Sequence, residues 1–346
     1  MNPLSLTYDQ LVEQFQRRYG RGAFHAGALY RAFYDRPVFD LRQAPEFSRS
    51  PELAQRIARD LDMRLPEVSG RIQEEDVTKL QFRLADGLTV ETVLIPMAHH
   101  TTVCVSCQVG CRMGCRFCQT GQMGLLRQLS VDEIVAQVFV VKVHIGLDVR
   151  NVVFMGMGEP LDNFDAVVQA IAVLSDQRGL NIAKRHITLS TAGWVPGIER
   201  LAALNWPQLK LAVSLNAADD ALRSNLMPVN RRYGLGTLRA VLEGYPLARG
   251  NVLLVEYVLI RDVNDRPEDA RRLARFVTEL PVRVNLIAYN PRKASPFDAP
   301  WPEEVERFRR ALVDLGVFVR LRGAKGTSIR AACGQLGGAS GGPVGS

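Results

Sequence analysis

The chain has 346 residues, 47% of them hydrophobic and 23% charged, with a formal net charge of +7. This is an ordinary globular composition. It has no apolar run of membrane-spanning length, and its opening MNPLSLTYDQ lacks a secretory pattern, so a cytoplasmic protein with no membrane partner and no disulfide framework is expected.

The elements follow in chain order. Apolar residues at i, i+3, i+4 predict helices over Tyr8 to Tyr19, Ala26 to Tyr34 and Pro51 to Leu61. Alternation from Lys79 to Pro96 around Ala85-Asp86-Gly87 predicts a hairpin. From about residue 100 strand and helix repeat. A first strand is expected over Thr101 to Val105, then strands at 151–156, 185–191, 209–215, 251–260, 283–289 and 316–321. Ser130 with Glu133 forms a capping box for a helix at 131–145, and Asp265 with Glu268 around Pro267 does so for one at 266–280.

Alternating strands and helices imply an α/β fold with a parallel sheet, here an open or complete barrel of about six units. Four segments are expected: a helical N-terminal domain (1–65), a β-hairpin linker carrying Glu91 (66–99), a core (100–336) and a glycine-rich flexible tail (337–346).

Five of the six cysteines lie within residues 104–118. Cys111, Cys115 and Cys118, spaced x3 then x2, suit three corners of a 4Fe–4S cluster that normally takes four ligands, leaving one iron open. Phe117 in the last gap is an aromatic shield. Structural zinc is the rival, using Cys104/Cys107 and Cys115/Cys118. That arrangement has a short spacer and leaves Cys111 unused.

Other candidates sit where strands end, the place where α/β folds collect chemistry. These are Met155-Gly156-Met157-Gly158-Glu159-Pro160, whose glycines would let backbone approach a ligand, then Ser190, Ser214-Leu215-Asn216 and Tyr289-Asn290-Pro291. Cys333 stands beside the tail, where a thiol could be reached. Basic pairs at Arg17/Arg18, Lys184/Arg185, Arg231/Arg232, Arg292/Lys293 and Arg309/Arg310 are compatible with a polyanionic partner or with a merely basic surface.

Taken together, these segments resemble the RlmN/Cfr family of radical S-adenosylmethionine RNA adenine methyltransferases. The resemblance is carried by Val90-Glu91-Thr92-Val93, Cys104-Val105-Ser106, Gln108-Val109-Gly110-Cys111 with Cys115 and Cys118, Gly124-Leu125-Leu126-Arg127, Gly156 to Pro160, Leu226 to Asn230 and Ala331 to Leu336. It implies a partial (βα)6 radical SAM barrel and a 4Fe–4S cluster on Cys111, Cys115 and Cys118. It also implies two S-adenosyl-L-methionine molecules per turnover, contacted by Gly158, Glu159, Ser190, Ser214, Asn216 and Asn290.

Cys333 would carry a methyl group, Cys104 would resolve the protein–RNA adduct through a Cys104–Cys333 disulfide, and Glu91 would accept a proton. The implied partners are ribosomal RNA, with transfer RNA second, bound with help from the N-terminal domain, and an electron donor such as flavodoxin or ferredoxin. A monomer is expected. Methylation at adenine carbon 2 or, in the Cfr manner, carbon 8 stays open, as does a different RNA. Three positions depart from the family pattern: Cys107 replaces the usual Ser, Asn216 a frequent His, and the run 326–330 ends in Arg330 instead of acidic residues.

Overall fold

The computed structural model describes residues 1–35, 40–41, 44–291, 295–323 and 329–337. The Arg292/Lys293 pair, positions 326–328 and most of the tail lie outside them. The first helices are α1 (Tyr8–Tyr19), α2 (Ala23–Asp35) and α3 (Pro51–Asp60). Thr7 and Gln10 cap α1 reciprocally, and Gly20 at φ 62° ends it.

Next come β1 (Glu67–Glu74), β2 (Val77–Arg83), β3 (Thr89–Met97), β4 (His100–Cys104) and β5 (Gln108–Cys111), followed by α4 (Gln119–Gln122), β6 (Gly124–Gln128) and α5 (Val131–Phe139). The helix at 131–145 thus gives way to a π-helical turn at 140–144. Phe33 of α2 stacks on Phe139 of α5 with ring centroids 4.8 Å apart, docking the N-terminal helices on the core.

The remainder runs β7 (Val149–Phe154), α6 (Phe164–Leu174), β8 (Ile187–Thr191), α7 (Val195–Ala203), β9 (Lys210–Ser214), α8 (Asp220–Leu226), α9 (Leu235–Glu243), β10 (Leu253–Leu259), α10 (Pro267–Val277), β11 (Val282–Ala288), α11 (Pro302–Asp314) and β12 (Val319–Arg322). The box opening α10 lies one residue later than the sequence suggests. The Asp269 carboxylate accepts from the Arg266 N–H, while Asp265 accepts from the Asp262 N–H.

One ten-stranded sheet runs β1-β2-β3-β4-β7-β8-β9-β10-β11-β12, and β5-β6 form a separate ribbon. Pairing is parallel from β4 to β12 and antiparallel from β1 to β4. The sheet is not closed: among the described residues β12 pairs only with β11 and β1 only with β2. The β2–β3 hairpin continues the sheet without a break, with Val93 opposite Cys104. Two elements had no counterpart in the sequence reading: β1, and the β5–β6 ribbon inside the cysteine segment.

Candidate active site

The cysteine segment begins where β4 ends. Gly110, at φ 78°, approaches Gly124 so closely that a Cβ would strike the Gly124 carbonyl oxygen, so the ribbon can close only around glycine. Cys111 ends β5. The loop then turns back, with the Cys118 N–H donating to the Cys115 carbonyl at 3.1 Å and the Arg116 N–H to the Leu226 carbonyl at 2.9 Å.

Around the three thiols lies a second apolar cluster, separate from the main core. It contains Cys111, Met113, Phe117, Leu226, Met227 and Tyr289, with Cys115 and Cys118 packed against it. Phe117 is buried there. Burial pushes the Cys111 thiol up to about 12 and Cys115 well above the ordinary range, each raised further by its neighbouring cysteines. Unmetallated, these groups would stay protonated; a bound cation is what makes such thiolates affordable in a dry site.

Among the described residues, no group of three or more His, Cys, Asp or Glu side chains is gathered closely enough to hold one metal ion. A multi-iron cluster spreads its thiolate ligands over several metal atoms. Three soft donors on one short loop inside an apolar shell therefore suit the cluster.

Glu159 follows β7 and is buried. Its Oε2 accepts from the Ala192 N–H at 2.7 Å and its Oε1 from the Leu161 N–H at 3.1 Å, tying the end of β7 to the end of β8. Burial raises its carboxyl pKa to about 7, against the lowering effect of these bonds.

The glycines beside it act on the protein itself. A Cβ on Gly156 would meet the Val105 carbonyl oxygen at 2.6 Å, and one on Gly158, at φ 111°, would meet Gln108 Cβ at 2.7 Å and Cys107 Sγ at 2.9 Å. They seat the β7–α6 turn on the cysteine segment, a tighter constraint than approach to a ligand. Gln108 completes the seat, since its Oε1 accepts from the Glu159 N–H at 2.8 Å.

Ser190 and Ser214 end β8 and β9 half-buried, and Asn290 follows β11 half-buried. Asn216 is buried at φ 58°; its Oδ1 accepts from the Val258 N–H at 2.8 Å and its Nδ2 points at Met227 Sδ at 3.2 Å. Its carboxamide is already engaged within the fold.

Arg223, which the sequence reading passed over, is fully buried beneath these strand ends. It donates to the Ala192 carbonyl at 2.8 Å, Leu215 at 3.0 Å, Ser214 at 3.2 Å and Asn230 Oδ1 at 2.8 Å. Desolvation lowers its pKa to about 10.

The two remaining candidate thiols, Cys104 at the end of β4 and Cys333 near the end of the described chain, are both free. Cys104 is buried, and its thiol is pushed up to about 12, first by desolvation and then by the nearness of Cys333; a Met155 N–H and Arg322 pull the other way. Cys333 is exposed at the surface, yet the atoms packed near its thiol raise its pKa by desolvation too, opposed by Arg322 and reinforced by Glu256 and Cys118. Cys333 thus lies within electrostatic reach of both Cys104 and the cluster loop. Its segment is hydrogen-bonded to its surroundings on both sides of the thiol. The Gln119 N–H donates to the Gly334 carbonyl at 2.7 Å, Thr120 Oγ1 to the Leu336 carbonyl at 2.7 Å, and the Gly337 N–H to Glu91 Oε2 at 2.7 Å.

Comparison with known proteins agrees with this geometry. The Radical SAM superfamily matches residues 105–276. The chain is 39% identical over 334 residues to the probable dual-specificity RNA methyltransferase RlmN 1 of Protochlamydia amoebophila, covering 96% of this chain and 93% of that protein. It is 43% identical over 335 residues to the dual-specificity RNA methyltransferase RlmN of Syntrophotalea carbinolica, covering 96% and 88%. A crystal structure of a radical SAM methyltransferase from Sphaerobacter thermophilus superposes with a TM-score of 0.87 at 39% identity, over 97% of this chain and 99% of that one. The chain belongs to the RlmN/Cfr family of radical S-adenosylmethionine RNA methyltransferases.

Proposed function

We propose that this protein methylates an adenine ring carbon in RNA, carbon 2 of a large-subunit ribosomal adenosine in the first instance, with Cys333 carrying the methyl group and Cys104 releasing the product. What supports this reading is the anchoring of the Cys333 segment beside the cysteine loop, where the Gln119 N–H donates to the Gly334 carbonyl at 2.7 Å, with the charge of Cys333 felt at Cys104. The carbon to be methylated is electrophilic, so simple displacement cannot deliver a methyl cation to it. S-adenosylmethionine, with the cluster held by Cys111, Cys115 and Cys118, supplies the methyl group and the radical chemistry.

Cys333 holds the methyl as a thioether; that radical chemistry would remove one hydrogen atom from the methyl, whose carbon then bonds to the ring carbon as the ring hydrogen leaves as a proton and one electron returns to the redox centre. Cys104 attacks the Cys333 sulfur; an S–S bond forms as the C–S bond breaks, and a proton completes the new methyl group. Because Cys104 rests well above the ordinary thiol range, it must lose its proton to a neighbour as it attacks. Glu91 is the proposed acceptor for the ring proton. Gly158, Glu159, Ser190, Ser214, Asn216 and Asn290 are the proposed contacts of S-adenosylmethionine, and residues 1–65 the accessory RNA-binding domain. The target base must leave its stack, which favours looped RNA.

The test combines nucleoside mass spectrometry of host RNA, with and without the gene, and two variants. C333A is expected to keep the cluster and cofactor binding and lose methylation, and C104A to accumulate an RNA–protein adduct. Loss of 2-methyladenosine on gene deletion supports the proposal, and loss of 8-methyladenosine moves the target to the other carbon. Methylation retained by C333A overturns the carrier role.

A further inference from the structure

Lys79 and Glu91 are a buried ion pair on adjacent strands, with Nζ 3.0 Å from Oε1 and both side chains about 5% exposed or less. A buried pair is rarely kept for stability, since apolar residues of similar volume do as well or better. What distinguishes this pair is its second set of partners. Lys79 Nζ donates to the Arg330 carbonyl at 3.4 Å, and Glu91 Oε2 accepts from the Gly337 N–H at 2.7 Å. Arg330 and Gly337 bracket the segment that bears Cys333. The Arg330 end is strained, since Arg330 adopts a left-handed φ of 52°, while at φ 95° the other end has room only for glycine beside the Met123 sulfur.

We propose that Lys79 and Glu91 form a latch that grips both ends of the 330–337 segment and so fixes where Cys333 stands. Lys79 is a positioning residue, acting through Glu91 and two backbone groups without touching the reacting atoms. The latch sits on β2 and β3, which are hydrogen-bonded through β4 to Cys104, so the two thiols are referenced to one rigid sheet. Glu91 has one oxygen on Lys79 and the other on Gly337, so any proton it takes up competes with the grip on Cys333. The proposal rests on the Cys333 reading for its meaning and on geometry for its substance.

The test is hydrogen exchange, read by mass spectrometry on the cluster-loaded full chain. K79M/E91M replaces the pair by apolar side chains and keeps the neutral core filled. Exchange across 329–337 is expected to quicken about tenfold or more, as local opening ceases to cost two anchors, with the β10–β11 amides unchanged. K79R, which keeps the cation, should stay within about threefold of the parent. Unchanged exchange in K79M/E91M overturns the latch, and so does equal loosening in K79R.

Intact-mass measurement of methyl on Cys333 separates the two readings. Methyl loading that falls in K79M/E91M and recovers in K79R supports positioning. A parent protein that never carries the methyl refutes the carrier role and leaves the exchange result to decide the latch.

Discussion

Gly158→Ala should be among the most damaging single-methyl additions in this chain. The position has φ 111°, where a side chain costs on the order of 1–2 kcal/mol of backbone strain. The new Cβ would also sit 2.7 Å from Gln108 Cβ, 2.8 Å from Gln108 Cγ and 2.9 Å from Cys107 Sγ, and overpacking of that kind costs about 1–3 kcal/mol. The two add to about 2–5 kcal/mol, or a fall of roughly 4–10 °C in Tm at about 2 °C per kcal/mol.

A double-mutant cycle then identifies the clash. Cys107→Ala removes one of the three contacts, so G158A should be less harmful in that background by about 1 kcal/mol. Calorimetry on the apo protein is the assay. G158A as stable as the parent, or strict additivity with C107A, would refute the argument that Cys107 is packing material fitted to Gly158.

Other outcomes follow from the same site. Glu159 has its carboxyl pKa raised to about 7 by burial, so the folded state holds a proton that the unfolded chain gives up near pH 4.5. Stability should therefore be full below pH 4.5 and decline towards pH 7 by about 3 kcal/mol, and Glu159→Gln should remove that decline from urea titrations of the apo protein. An identical pH slope in both proteins would contradict the placement of Glu159. Arg223→Met leaves three carbonyls and Asn230 Oδ1 without their donor and should cost about 3–5 kcal/mol by chemical denaturation. Alanine at Cys111, Cys115 or Cys118 should abolish the visible absorption of the reconstituted cluster, whereas Cys107→Ser should keep it.

What could be read in the chain beforehand depended on how far apart the cooperating residues lie. The proposed cluster ligands sit within eight consecutive positions, so their spacing suggested that chemistry directly. The strand–helix alternation from β7 onward is likewise local and placed the strand ends to within a few residues. β1 escaped because it lies at an edge and is mostly exposed on both faces, leaving no alternating apolar pattern. The β5–β6 ribbon escaped because its strands are four and five residues long and hinge on glycine. Lys79 looked like one more polar residue in a hairpin, because its partner carbonyl is 251 positions away. Arg223 is an ordinary helix residue until α8 folds beneath β8 and β9. The glycines of the β7–α6 turn were legible as a close approach, but that Gly156 packs on Val105 and Gly158 on Gln108 and Cys107 only the folded chain could say.

An unclosed sheet leaves two bare rows of backbone groups, and such rows invite a second chain to add a strand. Both ends of this sheet are blunted. β12 spans only Val319–Arg322, with Arg320 and Arg322 alternating along it. β1 is longer, but its register shifts between Val68 and Gly70, and it carries Glu67, Arg71 and Glu74. A kinked, charged edge at one end and a four-residue edge at the other oppose growth into a continuous ribbon. The sheet can therefore stand open without its free edges becoming a nucleus for aggregation.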